Sequence, residues 1–296
     1  MRLVLNNVHK SYGEHHVLKG ISIEAISGRA MGLLGRNGSG KTTMIRSIMQ
    51  VFDIDEGSIS LPVTNIDEIG YLPEERGIYP KAKLIDQMIY FAMLKGLNKK
   101  TAKKRSVEWL EKIGLTDYAN KKADTLSKGN QQKVQVAISL LHDPKVIILD
   151  EPFSGLDPVN SELLKDIVRA EIEKGKIVFF SSHQMANVEA FCDDIAILNK
   201  GNIVLQGDLN EIKKSYPREK IQFFSDDLDL LETQLRSIEF ENFHRNNNSI
   251  VVKLKDNSDI YNYAKQLVND LANINGYKIV EPTLDEIFIQ YAKETI

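Results

Sequence analysis

Residues 35–42 read Gly-Arg-Asn-Gly-Ser-Gly-Lys-Thr, an order that could bind phosphate groups. The glycines allow the backbone to bend so that successive N–H groups point inward, where they can donate to phosphate oxygens. In such a loop Lys41 reaches the β- and γ-phosphates of a nucleotide, and the hydroxyl of Thr42 is offered to Mg²⁺. This stretch therefore predicts a nucleotide site.

The segments on either side of this loop provide the context that it needs. Residues 30–34 are an apolar run that can form a buried strand, and residues 43–49 place Met44, Ile45, Ile48 and Met49 on one face of a helix. The N-terminus of that helix would add the positive end of its dipole to the loop.

A second group of candidate residues lies far along the chain. Val146–Leu149 form a continuous apolar run that ends in Asp150 and Glu151. In a doubly wound fold, a carboxylate at this strand end can hold Mg²⁺, and the next residue can polarise an attacking water. His183 follows another apolar strand and could reach the γ-phosphate or hold Glu151, although a single histidine after a strand is more often structural.

Length and composition set limits on the class of protein. The chain of 296 residues is long enough for one large or two ordinary domains. Its apolar runs are all shorter than the roughly 18 residues that a membrane span needs, and its N-terminus lacks the apolar core of a signal peptide. We therefore expect a cytoplasmic protein, in which Cys192 is a buried structural thiol.

Charge is distributed unevenly. Residues 218–296 contain 9 basic and 14 acidic side chains, which argues against a nucleic-acid-binding tail. Residues 95–133 contain 11 basic and 4 acidic side chains. This basic segment can be a solvated helical face or a surface attracted to an anionic membrane.

The order of elements predicts an α/β fold. Two strands over residues 2–10 and 16–24 form a hairpin with Tyr12 at its turn, and later strands alternate with helices as in a doubly wound parallel sheet. The helical pattern of residues 83–133 predicts an inserted helical subdomain, and a helix from about Asn160 to Lys174 is expected to be capped by Asn160 or Ser161. A composition shift places a domain boundary after Tyr216, so that residues 217–296 form a small βαββαβ domain.

Together, these motifs resemble the ATP-binding subunit of an ABC transporter over roughly residues 2–215. The diagnostic Leu-Ser-Gly-Gly-Gln sequence of that family is represented here by residues 126–130, Leu-Ser-Lys-Gly-Asn, which keep the serine and the second glycine. The resemblance implies a P-loop fold with an N-terminal antiparallel β subdomain. It also implies ATP binding by Tyr12, Gly35, Arg36, Asn37, Gly38, Ser39, Gly40, Lys41, Thr42, Thr43, Ser127, Gly129 and Asp157, Mg²⁺ binding by Thr42, Asp150 and Glu74, and catalysis by Glu151 and His183.

One departure from the family pattern affects the expected chemistry. Glu74 stands where most members have glutamine, in the loop that touches Mg²⁺ or the attacking water. A carboxylate can accept a hydrogen bond from bound water or ligate the metal, but it cannot donate.

Residues 71–80, 126–133 and 282–288 are similar to a narrower group, the exporter ATPases of the sodium-extrusion type. The resemblance implies that two copies bind ATP head to tail, and that their opening is passed to a separate membrane permease. A soluble ABC ATPase acting on ribosomes or nucleic acid is the alternative from another class, and a phosphotransferase acting on a small substrate is a third.

Overall fold

The computed structural model describes residues 1–75, 77–236, 238, 240–254, 259–271 and 273–293. The chain divides into two compact units, Met1–Leu209 and Asn210–Ile296. The division falls after Leu209 rather than after Tyr216, because nearly all of the helix Leu209–Ser215 groups with the second unit, although composition changes only after this helix.

The first unit is built from strands and helices that alternate along most of its length. In chain order they are β1 (Arg2–Tyr12), β2 (His15–Ile26), β3 (Ala30–Leu34), α1 (Lys41–Ile48), β4 (Glu56–Ser60), β5 (Ile69–Leu72), α2 (Leu84–Leu94), α3 (Lys99–Lys112), α4 (Lys128–Leu140), β6 (Val146–Asp150), α5 (Pro158–Glu173), β7 (Ile177–Ser181), α6 (Met185–Phe191), β8 (Asp194–Asn199) and β9 (Asn202–Asp208).

The central sheet has the strand order β5-β6-β7-β3-β8-β9 and is parallel except at β9. Every residue of β3, β6 and β7 is buried, as expected for strands covered on both faces. Since parallel strands end at the same edge of a sheet, β3, β6 and β7 bring the segments after Leu34, Asp150 and Ser181 together.

A second, antiparallel sheet has the order β2-β1-β4. Helix α1 shares one apolar core with this sheet and with the central sheet, to which it contributes Met44, Ile45 and Ile48. This packing fixes the start of α1, and with it the segment between β3 and α1.

The expected helical region contains α2, α3 and the start of α4, with two short 3₁₀ turns, Thr116–Tyr118 and Ala123–Thr125, between α3 and α4. The expected cap of the next helix was wrong. Helix α5 begins at Pro158, and the Asp157 side chain caps it by accepting from the Asn160 N–H. Proline at the first helical position needs no N–H partner, which allows the earlier start.

The second unit continues with α7 (Leu209–Ser215), β10 (Lys220–Phe224), α8 (Leu228–Arg236), β11 (Asn242–Arg245), β12 (Ser249–Lys253), α9 (Ile260–Asp270), β13 (Gly276–Val280) and α10 (Leu284–Lys293). Its antiparallel sheet has the order β11-β12-β10-β13, the arrangement of a βαββαβ unit. A separate core that includes Phe223 and Leu231 supports it. Within the described residues of the chain, no helix is long and apolar enough to cross a membrane.

Candidate nucleotide site

The loop from Gly35 to Gly40 joins β3 to α1. A Cβ atom on Gly35 would lie 2.5 Å from both the Leu198 carbonyl oxygen and Ser39 Oγ, so only glycine fits there. Gly40 has a φ of 112°, a conformation that side chains rarely adopt. The loop is therefore tightly packed against Leu198, and it leads directly into the N-terminus of α1.

Lys41 is the first residue of α1, and its side chain folds back over the loop. Its Nζ donates to the carbonyl oxygens of Gly35 at 2.7 Å and Arg36 at 3.3 Å. Burial lowers the pKa of Lys41, while the negative charges of Asp150, Glu151 and Glu74 oppose that shift. Carboxylates from two other segments are thus close enough to act on this one ammonium group.

Buried Asp150 ends β6, and its Oδ1 accepts a hydrogen bond from Ser181 Oγ at the end of β7. Strand β7 lies between β6 and β3, which places this carboxylate at the same sheet edge as the loop. The serine holds one carboxylate oxygen and leaves further lone pairs of Asp150 available to a metal ion or its water.

Glu151 has a φ of 51°, which is uncommon for a residue other than glycine. The Glu151 N–H donates to the Ser181 carbonyl oxygen at 3.1 Å and stabilises this turn. The side chain is held by three donors: the His183 N–H at 2.6 Å and His183 Nδ1 at 2.7 Å bond to Oε1, and Ser182 Oγ bonds to Oε2 at 3.2 Å. The carboxylate is therefore fixed in one orientation at the edge of the sheet.

The sequence predicted that His183 could reach the γ-phosphate or hold Glu151. In the structure, His183 lies beside Glu151. Because Nδ1 donates to the carboxylate, Nε2 is left facing away from it. The His183 side chain is 65% exposed and could meet a ligand or a second chain.

Ser39 supplies an observation that fits a bound phosphate. Its Oγ is buried and has no hydrogen-bond partner in the described part of the chain. Arg36, Asn37, Gly38 and Thr42 are exposed around it, and Thr43 is partly buried. A nucleotide phosphate would lie against the open side of this loop and could accept from its N–H groups.

Tyr12 is the last residue of β1 rather than a turn residue. The residue is 49% exposed, and its ring packs edge-on against Phe52, with the ring centroids 5.8 Å apart. Lys10 Nζ lies 5.1 Å from the Phe52 ring and 5.9 Å from the Tyr12 ring. Tyr12 is therefore accessible to a base from solvent.

Ser127 and Gly129 stand at the N-terminus of α4. Ser127 caps the helix by accepting from the Asn130 N–H at 3.2 Å, and its side chain is exposed. Gly129 is partly buried, and an added Cβ would contact Leu156 Cδ2 at 3.4 Å. Exposed Ser127 stands at a helix N-terminus, an arrangement suited to an anion.

Asp157 is occupied as the cap of α5. Its hydrogen bond from the Asn160 N–H is the main reason that the pKa of this carboxyl lies below its usual range. Asp157 is also the charge that opposes the fall in the pKa of buried Lys133 on α4. Asp157 therefore lies close enough to α4 for its charge to act on Lys133.

Glu74 is exposed in the loop that follows β5, where its charge acts on Lys41. Beside this loop is a largely apolar cavity of about 290 Å³. Residues from the loop and from two helices line it, among them Pro73, Ile78, Phe91, Leu94 and Ile138.

The sequence interpretation missed three residues that shape the site. Ser181 donates to the Asp150 carboxylate, Ser182 donates to the Glu151 carboxylate, and Gln132 Nε2 donates to the Pro152 carbonyl oxygen at 3.0 Å. A signal for the serines was present, because polar residues that end a buried parallel strand lie at the same edge as the phosphate loop.

Asp150, Glu74 and Thr42 all offer oxygen atoms, the ligands that Mg²⁺ prefers. In the part of the chain that the structure describes, no group of three or more His, Cys, Asp and Glu side chains could hold a metal ion. Mg²⁺ is commonly bound by one or two carboxylates together with substrate phosphates.

The fold and the site define a nucleotide-binding cassette with a P-loop. Comparison with known protein families matches residues 18–154 to "ABC transporter" and residues 207–292 to "ATP-binding protein DrrA1-3-like, C-terminal domain". The ABC transporter ATP-binding protein YhaQ of Bacillus subtilis is 42% identical over 97% of both chains. The chain belongs to the family of ABC transporter ATP-binding proteins.

Two further similarities are to proteins whose descriptions state a role or a bound nucleotide. The linearmycin resistance ATP-binding protein LnrL of Bacillus subtilis is 34% identical over 71% of this chain and 70% of its own. A dimeric structure of the ATP-binding cassette MJ0796, in a post-hydrolysis state with ADP and Pi, has a TM-score of 0.62 and 26% identity, and the match covers 70% of this chain and 98% of that one. This chain is accordingly an ABC-type ATPase that binds and hydrolyses ATP.

Proposed function

We propose that this ATPase powers an exporter as a pair of identical subunits, and that it lies on the cytoplasmic face of the membrane through a separate permease. The observation that carries the proposal is the convergence of Asp150, Glu151 and Glu74 on Lys41, combined with the exposure of Ser127 at a helix N-terminus. Lys41 and the three carboxylates provide one half of an ATP site. Ser127 provides the anion-binding surface that would complete the site of another copy.

Within this proposal, Lys41 and the N–H groups of residues 35–43 hold the phosphates, and Tyr12 stacks on adenine. Thr42, Asp150 and Glu74 would hold Mg²⁺, which supplies charge neutralisation on the phosphate oxygens. Glu151, fixed by Ser182 and His183, accepts a proton from the attacking water. Ser127 and Gly129 of the second copy then close over the γ-phosphate, and Asp157 lies in the loop between the subunits.

The export direction rests on similarity. LnrL is described as a resistance protein, and resistance to a compound is consistent with its removal from the cell. The same family provides a dimeric cassette, which supports the paired arrangement. The alternative of a ribosome- or nucleic-acid-acting ATPase receives no support from the relatives or from the acidic residues 218–296.

The cavity beside Glu74 is the surface that we assign to the permease. Its continuity with the Glu74 loop would let an inserted cytoplasmic helix of the permease move that loop, and exposed Leu94 gives it an apolar rim. Leu94→Asp should abolish copurification with a multi-span membrane protein encoded beside this gene, and basal ATPase activity should stay unchanged. Val107→Asp changes a similarly exposed residue on α3 and serves as the matched control.

A copurification of the wild-type chain from a detergent extract tests the function as a whole. Recovery of that membrane protein in a stoichiometric complex supports the exporter, whereas recovery of ribosomal proteins or nucleic acid contradicts it. ATP hydrolysis that releases phosphate without any phosphorylated product excludes the phosphotransferase reading.

The two-domain arrangement belongs to the same proposal, with residues 1–216 as the ATPase and residues 217–296 as an accessory domain. A chain that ends at residue 216 should still hydrolyse ATP. Loss of ATP-dependent dimers on sizing would assign dimer contacts to the accessory domain, and normal dimers with altered turnover would assign it regulation.

A further inference from the structure

Two buried glutamines hold the loop that carries Glu74. The Gly77 N–H donates to Gln135 Oε1 at 3.3 Å, and Gln135 is 5% exposed on α4. The Tyr79 N–H donates to Gln87 Oε1 at 3.1 Å, and Gln87 is 2% exposed on α2. The loop is therefore attached to the helical region by side chains as well as by its own covalent connection.

The two glutamines differ in whether the amide nitrogen, as well as the amide oxygen, is hydrogen-bonded. Gln87 Nε2 donates to the carbonyl oxygens of Tyr79 and Ala82, both at 3.5 Å, so both ends of this amide are used. Gln135 Nε2 is buried and has no hydrogen-bond partner in the described residues. A buried donor without a partner costs about 1–3 kcal/mol, and an apolar residue at this position would avoid that cost.

Helix α4 gives the Gln135 contact its significance. The helix begins at its cap Ser127, eight residues before Gln135, and its buried residues lie between Lys133 and Leu140. A helix moves as a rigid element over such a distance. A displacement of Ser127 would therefore be passed through Gln135 to Gly77, and from there to Glu74.

We propose that Gln135 and Gln87 are positioning residues that set the place of Glu74 relative to Lys41 and Asp150, and thereby connect the position of Ser127 to the metal site. The inference rests on the proposed function, because it assigns Glu74 to the metal or its water. The spare Nε2 donor of Gln135 suits this role, since the same amide can hold a shifted loop through a carbonyl oxygen.

The test uses the full chain and Mg²⁺ titrations of its ATPase activity. Gln135→Met removes the acceptor at similar volume, and we expect the half-saturating Mg²⁺ concentration to rise about threefold to tenfold, as for the loss of one hydrogen bond. Binding of ATP without Mg²⁺ should be unchanged.

A double-mutant cycle separates positioning from a structural role. If Gln135 acts through Glu74, Gln135→Met should have no further effect on Mg²⁺ dependence in a Glu74→Ala background. Additive effects, or an unchanged Mg²⁺ dependence of the single variant, would overturn the proposal. If Gln135→Met does not fold, Gln87→Met can be combined with Glu74→Ala in the same double-mutant cycle. Gln222→Met, in the second unit, is the control for a glutamine-to-methionine change.

The outcomes also distinguish this inference from the proposed function. If the wild-type chain shows Mg²⁺-dependent turnover that Glu74→Ala does not alter, the assignment of Glu74 in the proposed function fails. If Glu74→Ala alters it and Gln135→Met does not, only the positioning role fails.

Discussion

Replacement of Glu151 by glutamine should separate ATP binding from hydrolysis. Glutamine has the same shape and keeps an oxygen that can accept from the His183 N–H, now 2.6 Å from Glu151 Oε1. Its amide group can donate to Ser182 Oγ, which lies 3.2 Å from Oε2. The left-handed backbone at residue 151 does not change, so the local geometry should persist.

The Glu151→Gln change removes the carboxylate that accepts a proton from the attacking water. General base catalysis contributes about 100- to 10,000-fold, and we expect phosphate release to slow by a factor in this range. ATP affinity should change little, because Lys41 and the loop N–H groups are untouched. The change also removes one of the negative charges that act on Lys41. This loss should not weaken the attraction of the Lys41 ammonium group to phosphate.

Phosphate release and sizing by light scattering, each with and without ATP, measure the two effects. The Glu151→Gln chain should accumulate as an ATP-bound dimer, whereas the wild type should return to monomer as ATP is consumed. Glu24→Gln, which changes an exposed partner of Arg2, controls for the loss of a charge. Turnover within threefold of the wild type in the Glu151→Gln chain would refute the role that we give to this carboxylate.

Three further changes test other parts of the structure. Lys41→Ala should weaken ATP binding by at least about tenfold, measured by titration with a fluorescent nucleotide, because it removes a charge-assisted hydrogen bond. Ser127→Ala should leave ATP binding by the monomer unchanged but reduce ATP-dependent dimers on sizing. His142→Gln should flatten the pH dependence of unfolding. Burial lowers the pKa of His142 to about 4, so the unfolded state takes up a proton first as pH falls below 6.5, and denaturant titrations should show about 2 kcal/mol of wild-type stability lost between about pH 7 and pH 5.

Local patterns made the phosphate loop and the strand ends predictable. The run before Asp150 is apolar throughout, and its burial in β6 follows from that run alone. The bonds from Ser182 and His183 to Glu151 depend instead on the pairing of β6 with β7, across 31 to 32 residues of chain. Such a register cannot be read from either strand by itself.

The start of α5 shows a different kind of error. Asp157-Pro158 is a strong local start signal, since aspartate favours the cap and proline favours the first helical position. The sequence analysis instead placed the start of this helix near Asn160. The structure shows that Asp157 caps the helix and that its side chain nevertheless remains exposed.

Helix α4 connects the surface around Ser127 to the segment after Glu151 and to the Glu74 loop. It spans Lys128–Leu140, about 20 Å, beginning at the cap Ser127, and Gln132 bonds to the segment after Glu151 while Gln135 bonds to the Glu74 loop. A second copy that binds at Ser127 and a permease that binds beside Glu74 would act on the same helix. Linkage requires these effects to be reciprocal, so any factor by which the permease strengthens ATP-dependent pairing must equal the factor by which pairing strengthens permease binding. A factor of one, measured as an unchanged dissociation constant of the ATP-bound pair when permease is added, would show that α4 does not act as the connecting element.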